Sequence, residues 1–474
     1  MFRYVRTPIP EETKEERAGF GEILLPYTKE EAVLEAQRCL QCAMPYCVQA
    51  CPITQDCRGY IALIAQQRFD DAARLTLREN PLATVLCKTC YHYCEEDCVM
   101  GGRGVPIAIR HLKRAALELG KSDLAYVPSA PKAQRVAVIG AGPAGLMAAW
   151  ELGVRGYAVT VYEAQRFLGG QVATIPKYHM DGTELDVDLA RFKDLDCTFV
   201  TGKRAGVDFT PESLLAEGYL AVFVAIGASD PRATGVPGER LPGVYFAVQF
   251  LLAVNRGPNP LLGRTGRKVV VIGGGDVALD AARSALRLSA KGDVTVVYRN
   301  GRDEMPAGGE EVEGGEEEGL RFLFHRAPVR ILGSGRVEGI VVETTQAGPR
   351  DAAGHRTVVS VPGSEETLAC DTVIIAVGEK ADLAGLPTEL DLSLDQHPWP
   401  EGKREDWMTD VEGVFASGGR SVVYAMAAGT KAAEAIDAYL AKKRRGAPTI
   451  RPDPLGSKDP PRLPEGYGGP TWHL

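Results

Sequence analysis

Two Val/Ile-rich runs, Arg135–Ile139 and Lys268–Ile272, each open directly into glycines and then into a helical pattern. A strand that turns through glycine into a helix is the entry to a dinucleotide-binding βαβ unit, and this chain carries that entry twice, about 130 residues apart. The duplication predicts an α/β fold with two Rossmann-like nucleotide-binding units. The strand-like runs Leu220–Ala225 and Thr372–Ala376 precede Gly227 and Gly378, where the backbone can approach a ligand closely.

The first loop is a GxGxxG, with Gly140, Gly142 and Gly145 enclosing Pro143 and Ala144. Its first glycine makes the turn, its second admits a pyrophosphate, and its third lets helix and strand close up. Amides at the helix start then hold the phosphates. Roughly 20 residues on, the run Val159–Glu163 predicts a second strand with Glu163 at its end, placed to accept ribose hydroxyls. Gly169 and Gly170, followed by Gln171, offer a second close backbone approach. These residues predict an FAD site.

The second loop carries Gly273, Gly275, Asp276 and Val277. Its matching strand, Val294–Tyr298, ends in Arg299 rather than an acid. A carboxylate there would repel a 2′-phosphate, whereas Arg299 can pair with one and Arg302 stands nearby to assist. NADP is therefore favoured, with NAD also usable if Arg299 only stacks on adenine.

Nine of the eleven cysteines fall between Cys39 and Cys98. Disulfide frameworks belong to small secreted domains, so this clustering points to metal or redox chemistry. The blocks read Cys39-x2-Cys42-x4-Cys47-x3-Cys51-Pro52 and Cys87-x2-Cys90-x3-Cys94-x3-Cys98. Thiolates at such spacings converge on iron–sulfur clusters, and a Cys-Pro ending commonly sends the last thiolate to a second cluster. Eight cysteines suit two cubanes. Zinc remains the competing metal, and buried inert thiols the competing non-metal reading. Cys57 follows the first block outside its pattern and reads as a packed thiol, while Cys197 and Cys370 read as core residues.

A formal net charge of −8 argues against a nucleic-acid partner. No run approaches the roughly 20 apolar residues of a membrane span, and the first residues show no signal-peptide pattern, so the cytoplasm is the expected location. Four regions follow: a mainly helical cysteine-rich domain over 1–130, an FAD-binding domain over 131–240 and 381–445, an NAD(P)H-binding domain over 241–380, and a Pro/Gly-rich extended tail over 446–474. Helical patterns lie at Lys29–Gln37 and Ile107–Leu119. The acidic block 310–318 reads as a solvated helix face.

In this order the landmarks resemble the small (β) subunit of bacterial glutamate synthase, to about residue 442. They are the two cysteine blocks, VAVIGAGPAG, AVFVAIGASDPR, VVVIGGGDVALDAARSALRL, VTVVYRNGRDEMPAGGEEVE, DTVIIAVGEK and VEGVFASGG. The scaffold is also similar to the NAD(P)H–flavin portion of dihydropyrimidine dehydrogenase and to bifurcating ferredoxin–NADP transhydrogenase. The resemblance implies two [4Fe–4S] clusters, FAD on the first Rossmann unit and NADPH on the second. It also implies that Cys39, Cys42, Cys47 and Cys98 share one cluster while Cys51, Cys90 and Cys94 serve the other.

The chain departs from the family in several places. The second cluster's fourth ligand in relatives can be a non-cysteine side chain on the following helix, where this chain has Lys113. Either Cys87 substitutes or a fourth protein ligand is missing. The family's C-terminal Gly-Asp, which contacts the flavin's ribityl–phosphate region, is Gly418-Gly419 here. That implies weaker FAD binding, or a loop rebuilt around a backbone amide. Asp276 replaces an Asn and adds negative charge beside the pyrophosphate.

Such chemistry moves hydride from nicotinamide to flavin and then single electrons onward. No CxxC lies in the nucleotide-binding half, which argues against a thioredoxin-reductase mechanism. Phe2 follows Met1, so no N-terminal cysteine is present to release ammonia from glutamine, and a large catalytic partner subunit in a hetero-oligomer is expected to do so. A ferredoxin-type or pyrimidine-reducing acceptor is the alternative, and a non-catalytic redox scaffold or sensor is a third reading.

Overall fold

Thr28 sets the start of the first helix. Its side chain accepts the Glu31 N–H while the Glu31 carboxylate receives the Thr28 N–H, satisfying two otherwise orphaned donors of α1 (Lys29–Ala36). Six further helices build the N-terminal unit: α2 (Tyr46–Ala50), α3 (Cys57–Ala65), α4 (Phe69–Glu79), α5 (Ala83–Thr89), α6 (Tyr93–Glu96) and α7 (Ile109–Leu119). Their shared core holds Tyr60, Leu63, Ile64, Leu75, Leu112 and Ala116. The computed structural model describes residues 5–13, 15–121, 124–256, 266–289, 292–350, 356–392, 399–402, 404–444 and 446–455.

The first nucleotide-binding unit contains β1 (Arg135–Ile139), α8 (Pro143–Val154), β2 (Ala158–Glu163), α9 (Thr183–Ala190), β3 (Cys197–Thr201), α10 (Pro211–Ala216) and β4 (Ala221–Val224). A ladder of β5 (Asp230–Pro231) with the later β15 (Glu379–Lys380) marks the crossing to the second unit. That unit contains β6 (Val244–Phe246), α11 (Ala247–Asn255), β7 (Lys268–Ile272), α12 (Asp276–Leu288), β8 (Asp293–Tyr298), α13 (Gly309–Glu318) and β9 (Arg321–Phe324). A four-stranded antiparallel layer follows, formed by β10 (Arg326–Leu332), β11 (Gly339–Arg350), β12 (Arg356–Ser360) and β13 (Glu366–Ala369). Next comes β14 (Thr372–Ile375), and after the return crossing come β16 (Val414–Ala416) and α14 (Val422–Lys443).

Both main sheets are five-stranded and parallel, in the orders β16-β4-β1-β2-β3 and β6-β14-β7-β8-β9. In each, the glycine loop leaves a central strand, β1 or β7, beside the point where strand order reverses, which is where open α/β sheets bind ligands. The near-continuous Val/Ile content of these strands fits sheets covered on both faces. Beneath β1, Trp150 is fully buried between the edges of Tyr126 and Phe192.

The acidic block keeps part of the solvated face expected of it, with Glu310, Glu313, Glu316 and Glu317 exposed. It is α13, and its Glu311 and Glu318 pair with Arg283 of α12, Glu318 also with Arg287 at 2.7 Å. Those buried guanidiniums recruit carboxylates because an unpaired buried charge is costly. The start of the tail is pinned as well: Arg451 binds Glu151 at 2.8 Å, and the Val127 N–H donates to the Pro454 carbonyl at 2.7 Å. The rest of the tail, 456–474, lies outside the described residues. Among the described residues no helix is long and apolar enough to cross a membrane.

Candidate cofactor-binding and iron–sulfur sites

At the end of β1 the backbone turns through Gly140 at φ +107°, where a Cβ would lie 2.4 Å from the Ala225 carbonyl oxygen. Pro143 and Ala144 open α8, and a Cβ on Gly145 would lie 1.9 Å from the Gly140 oxygen. Glu163 at the tip of β2 is fixed by the amides of Ala141 (2.9 Å) and Gln165 (2.8 Å), so its carboxylate is oriented before any ligand arrives. Gly170 approaches Gly142 backbone to backbone, and the Gln171 side-chain amide donates to the Ala228 carbonyl beside Gly227. The predicted flavin-loop residues are thus gathered at one end of one sheet.

Gly418 and Gly419 close this end from the other side, immediately before α14. A Cβ on Gly419 would lie 2.2 Å from the Ala425 nitrogen. The loop is therefore rebuilt around bare backbone, and an aspartate has no room in it. Arg420 stacks on Tyr424 at 4.4 Å and reaches toward Tyr93 of the cysteine-rich unit.

In the second unit Gly273 turns the chain out of β7, Gly275 caps α12, and Asp276 and Val277 are its first residues. The Asp276 carboxylate accepts the Tyr91 hydroxyl at 2.6 Å and the Gly308 amide at 3.2 Å. Its charge is engaged by these two donors. Arg299 is exposed at the end of β8, and no ion pair involves it among the described residues. Arg302 is also exposed and forms a two-pronged pair with Glu316. Gly378 follows β14 at φ +104°, where a Cβ would meet only the Arg232 side chain, at 3.8 Å.

The cysteines separate into two groups. Cys39, Cys42, Cys47 and Cys98 line one pocket together with Tyr46 and Arg58. Cys51, Cys90 and Cys94 gather around the buried Lys113. Cys87 does not join them. It sits in an apolar pocket of Leu77, Ala83 and Leu117, and its Sγ donates to the Thr84 carbonyl at 3.1 Å. The reason is local: α5 runs to Thr89 and the chain turns extended at Cys90, so the two thiols of this CxxC diverge. The thiol found with Cys51 and Cys94 is Cys57, which the spacing assigned to inert packing.

These groups suit iron–sulfur clusters better than single zinc ions. Four thiolates about 2.3 Å from one zinc stand about 3.8 Å apart. Among the described residues no three cysteine sulfurs lie mutually within 4.8 Å. Donors also point at the sulfurs: Gln41 Nε2 to Cys39 and the His92 N–H to Cys90, both at 3.3 Å, as cluster sulfurs favour. Burial pushes the Cys39 thiol up to about 11 and Cys51 up to about 12, so these thiols hold their protons until a metal displaces them.

One group gave no sequence signal. His179, from the loop after β2, meets Asp280 of α12 at 3.2 Å and Glu311 of α13 at 3.6 Å, with Arg283 beside them. Burial opposes its protonation, but Glu311 and Asp280 together raise its pKa above 6.5. A raised folded pKa contributes stability that is complete below the unfolded value and fades as pH climbs through the folded one. His179→Gln is expected to flatten the fall in melting temperature on the alkaline side of pH 6.5. An unchanged pH profile would contradict this.

Comparison with known proteins agrees with this geometry. Residues 16–123 match the family described as dihydropyrimidine dehydrogenase domain II, 4Fe-4S cluster, and residues 134–435 match pyridine nucleotide-disulphide oxidoreductases. A glutamate synthase [NADPH] small chain of Halomonas elongata is 35% identical over 444 residues, covering 89% of this chain and 93% of its own. The chain belongs to the glutamate synthase small-chain family. The beta subunit of an NADP(+)-dependent formate dehydrogenase from Moorella thermoacetica is also 35% identical, over 89% of this chain and 64% of its own length. Mycobacterium tuberculosis FprA in complex with NADPH shares the fold, with a TM-score of 0.56 at 20% identity over 67% of this chain and 87% of that one. Members of the family are flavin and iron–sulfur oxidoreductases, with [4Fe–4S], FAD and NADPH as their cofactors.

Proposed function

We propose that this chain is the electron-input subunit of a two-component, glutamate-synthase-type enzyme, taking hydride from NADPH and delivering single electrons to a large catalytic subunit. When bound, the nicotinamide would supply hydride, the flavin would accept it, and two [4Fe–4S] clusters would carry single electrons. The observation that carries the reading is the placement of the second thiol group. Cys90 and Tyr93 pack directly on the core of the flavin unit, and Tyr93 meets Tyr424 edge-on at 5.4 Å. The glycine loop, Glu163 and the α14 N-terminus thus hold one site against the cysteine-rich unit.

The first thiol group faces outward. Exposed Met44, Tyr46 and Val99 surround its cysteines, and apolar side chains of this kind are where an electron-accepting partner docks. Co-purification from the native cell tests the partner. A large subunit with an N-terminal cysteine is the expected result, and recovery of only another acceptor, such as a ferredoxin or a formate dehydrogenase subunit, overturns the glutamate-synthase assignment.

In this reading, Arg299 holds the 2′-phosphate. Charge-assisted hydrogen bonds contribute about 1.5–3 kcal/mol, so Arg299→Ala is expected to weaken NADPH binding roughly 10- to 150-fold. NADH binding should barely change. Equal losses for both nucleotides in a binding titration would place the phosphate elsewhere.

A further inference from the structure

Lys113 projects from α7 into the N-terminal core with only 6% of its surface exposed, and among the described residues no carboxylate forms an ion pair with it. An ammonium buried without an anion costs several kcal/mol. The groups around it are the thiols of Cys51, Cys90, Cys57 and Cys94. Cys57 itself is 1% exposed and is the first residue of α3, a start fixed by Asp56, which accepts the Gly59 N–H at 2.9 Å. Cys57 and Cys94 are buried in one packed cluster, which Cys39, Cys47 and Cys98 also touch, while Cys87 belongs to another.

The count of thiols decides which group Cys57 serves. Its thiol lies against both Cys47 and Cys94. The group around Cys47 already has four members lining its pocket. The group around Cys94 has three without it.

We infer that Cys57 is the fourth protein ligand of the second cluster and that Lys113 is a buried counter-charge to that cluster. The inference rests on the iron–sulfur reading given above. A protonated amine has no lone pair for iron, so a lysine on this helix cannot ligate while charged. A fourth thiolate arriving from α3 supplies the missing bond, giving up its proton as it binds iron. The added negative charge is the anion that the buried ammonium requires. The two departures offset each other: one removes a ligand from α7, and the other restores it from α3 with a charge of opposite sign alongside. Cluster potential follows net charge and surroundings, so removing the lysine charge lowers the potential of this cluster.

Anaerobically purified full-length chain tests this, with iron, sulfide and flavin content and electron paramagnetic resonance as readouts. Wild-type chain is expected to hold about eight iron atoms in two four-iron clusters. Cys57→Ala is expected to lose one of the two reduced-cluster signals, or to show a three-iron signal when oxidised, while keeping its flavin. Cys87→Ala should retain both signals. Cys57→Ser, nearly isosteric, guards against misfolding and should shift the signal of the same cluster through oxygen ligation. Lys113→Met should lower the potential of that cluster alone. Cys57 variants with full iron and two unaltered signals overturn the inference, as does loss on Cys87→Ala instead. Wild-type chain without iron overturns the functional reading itself, which is a separate outcome.

Discussion

Gly419→Asp, which restores the family's Gly-Asp pair, is expected to lose flavin rather than hold it more tightly. A Cβ at this position would meet the backbone of α14's first turn, 2.2 Å from the Ala425 nitrogen and 2.4 Å from the Tyr424 carbonyl carbon. Backbone of this kind cannot give way locally. α14 lies so close on α8 that a Cβ on Gly429 would itself meet the Ala144 oxygen at 2.2 Å, and Met426, Ala432, Ile436 and Leu440 are buried beneath it. Overpacking of this sort costs about 1–3 kcal/mol. The strain falls on the segment that closes the flavin end of the sheet, so FAD affinity should drop roughly 5- to 150-fold. Flavin-to-protein ratio after gel filtration reads the effect. A variant that retains FAD as well as the parent would show that the loop has another route.

The second large effect concerns a pair with no part in redox chemistry. Glu35 and Arg38 are both fully buried and in contact at 2.6 Å. The Glu35 carboxylate also accepts the amides of Thr7 (2.8 Å) and Ala108 (2.9 Å), while Arg38 donates to the Val105 carbonyl at 2.6 Å. Together they pin the stretch between Cys98 and α7. Arg38→Met leaves a carboxylate buried without its cation, which typically costs about 3–5 kcal/mol. The expected outcome is a large fall in the melting temperature of the cysteine-rich unit, with iron lost first from the group containing Cys98. Melting and iron content equal to the parent's would contradict it.

How far the sequence reveals the molecule depends on the range of the forces involved. β1 and β7 begin and end where their Val/Ile runs do, because burial on both faces and a glycine turn are written into adjacent residues. The helix after Thr28 is legible for the same reason. The surroundings of Cys87 and Cys57 were not. Spacing treats every CxxC as convergent, but α5 stays helical to Thr89 and turns Cys87 away, while the start of α3 returns Cys57 to Cys51. The partners of the acidic block were equally hidden: Arg283 and Arg287 are some thirty residues distant in sequence and meet it only once α12 and α13 pack. The pairing of Arg302 with Glu316 was hidden too, since fourteen residues separate them.

The central claim is that a nicotinamide site, a flavin site and iron centres act as one path in this chain. Anaerobic titration of purified chain with NADPH, following flavin absorbance and then the low-temperature spin signals of the same samples, tests it most directly. Bleaching of a stoichiometric flavin, followed by signals from reduced four-iron clusters, is the expected result. Flavin that stays oxidised with both NADPH and NADH, or a preparation free of iron and flavin, would contradict it.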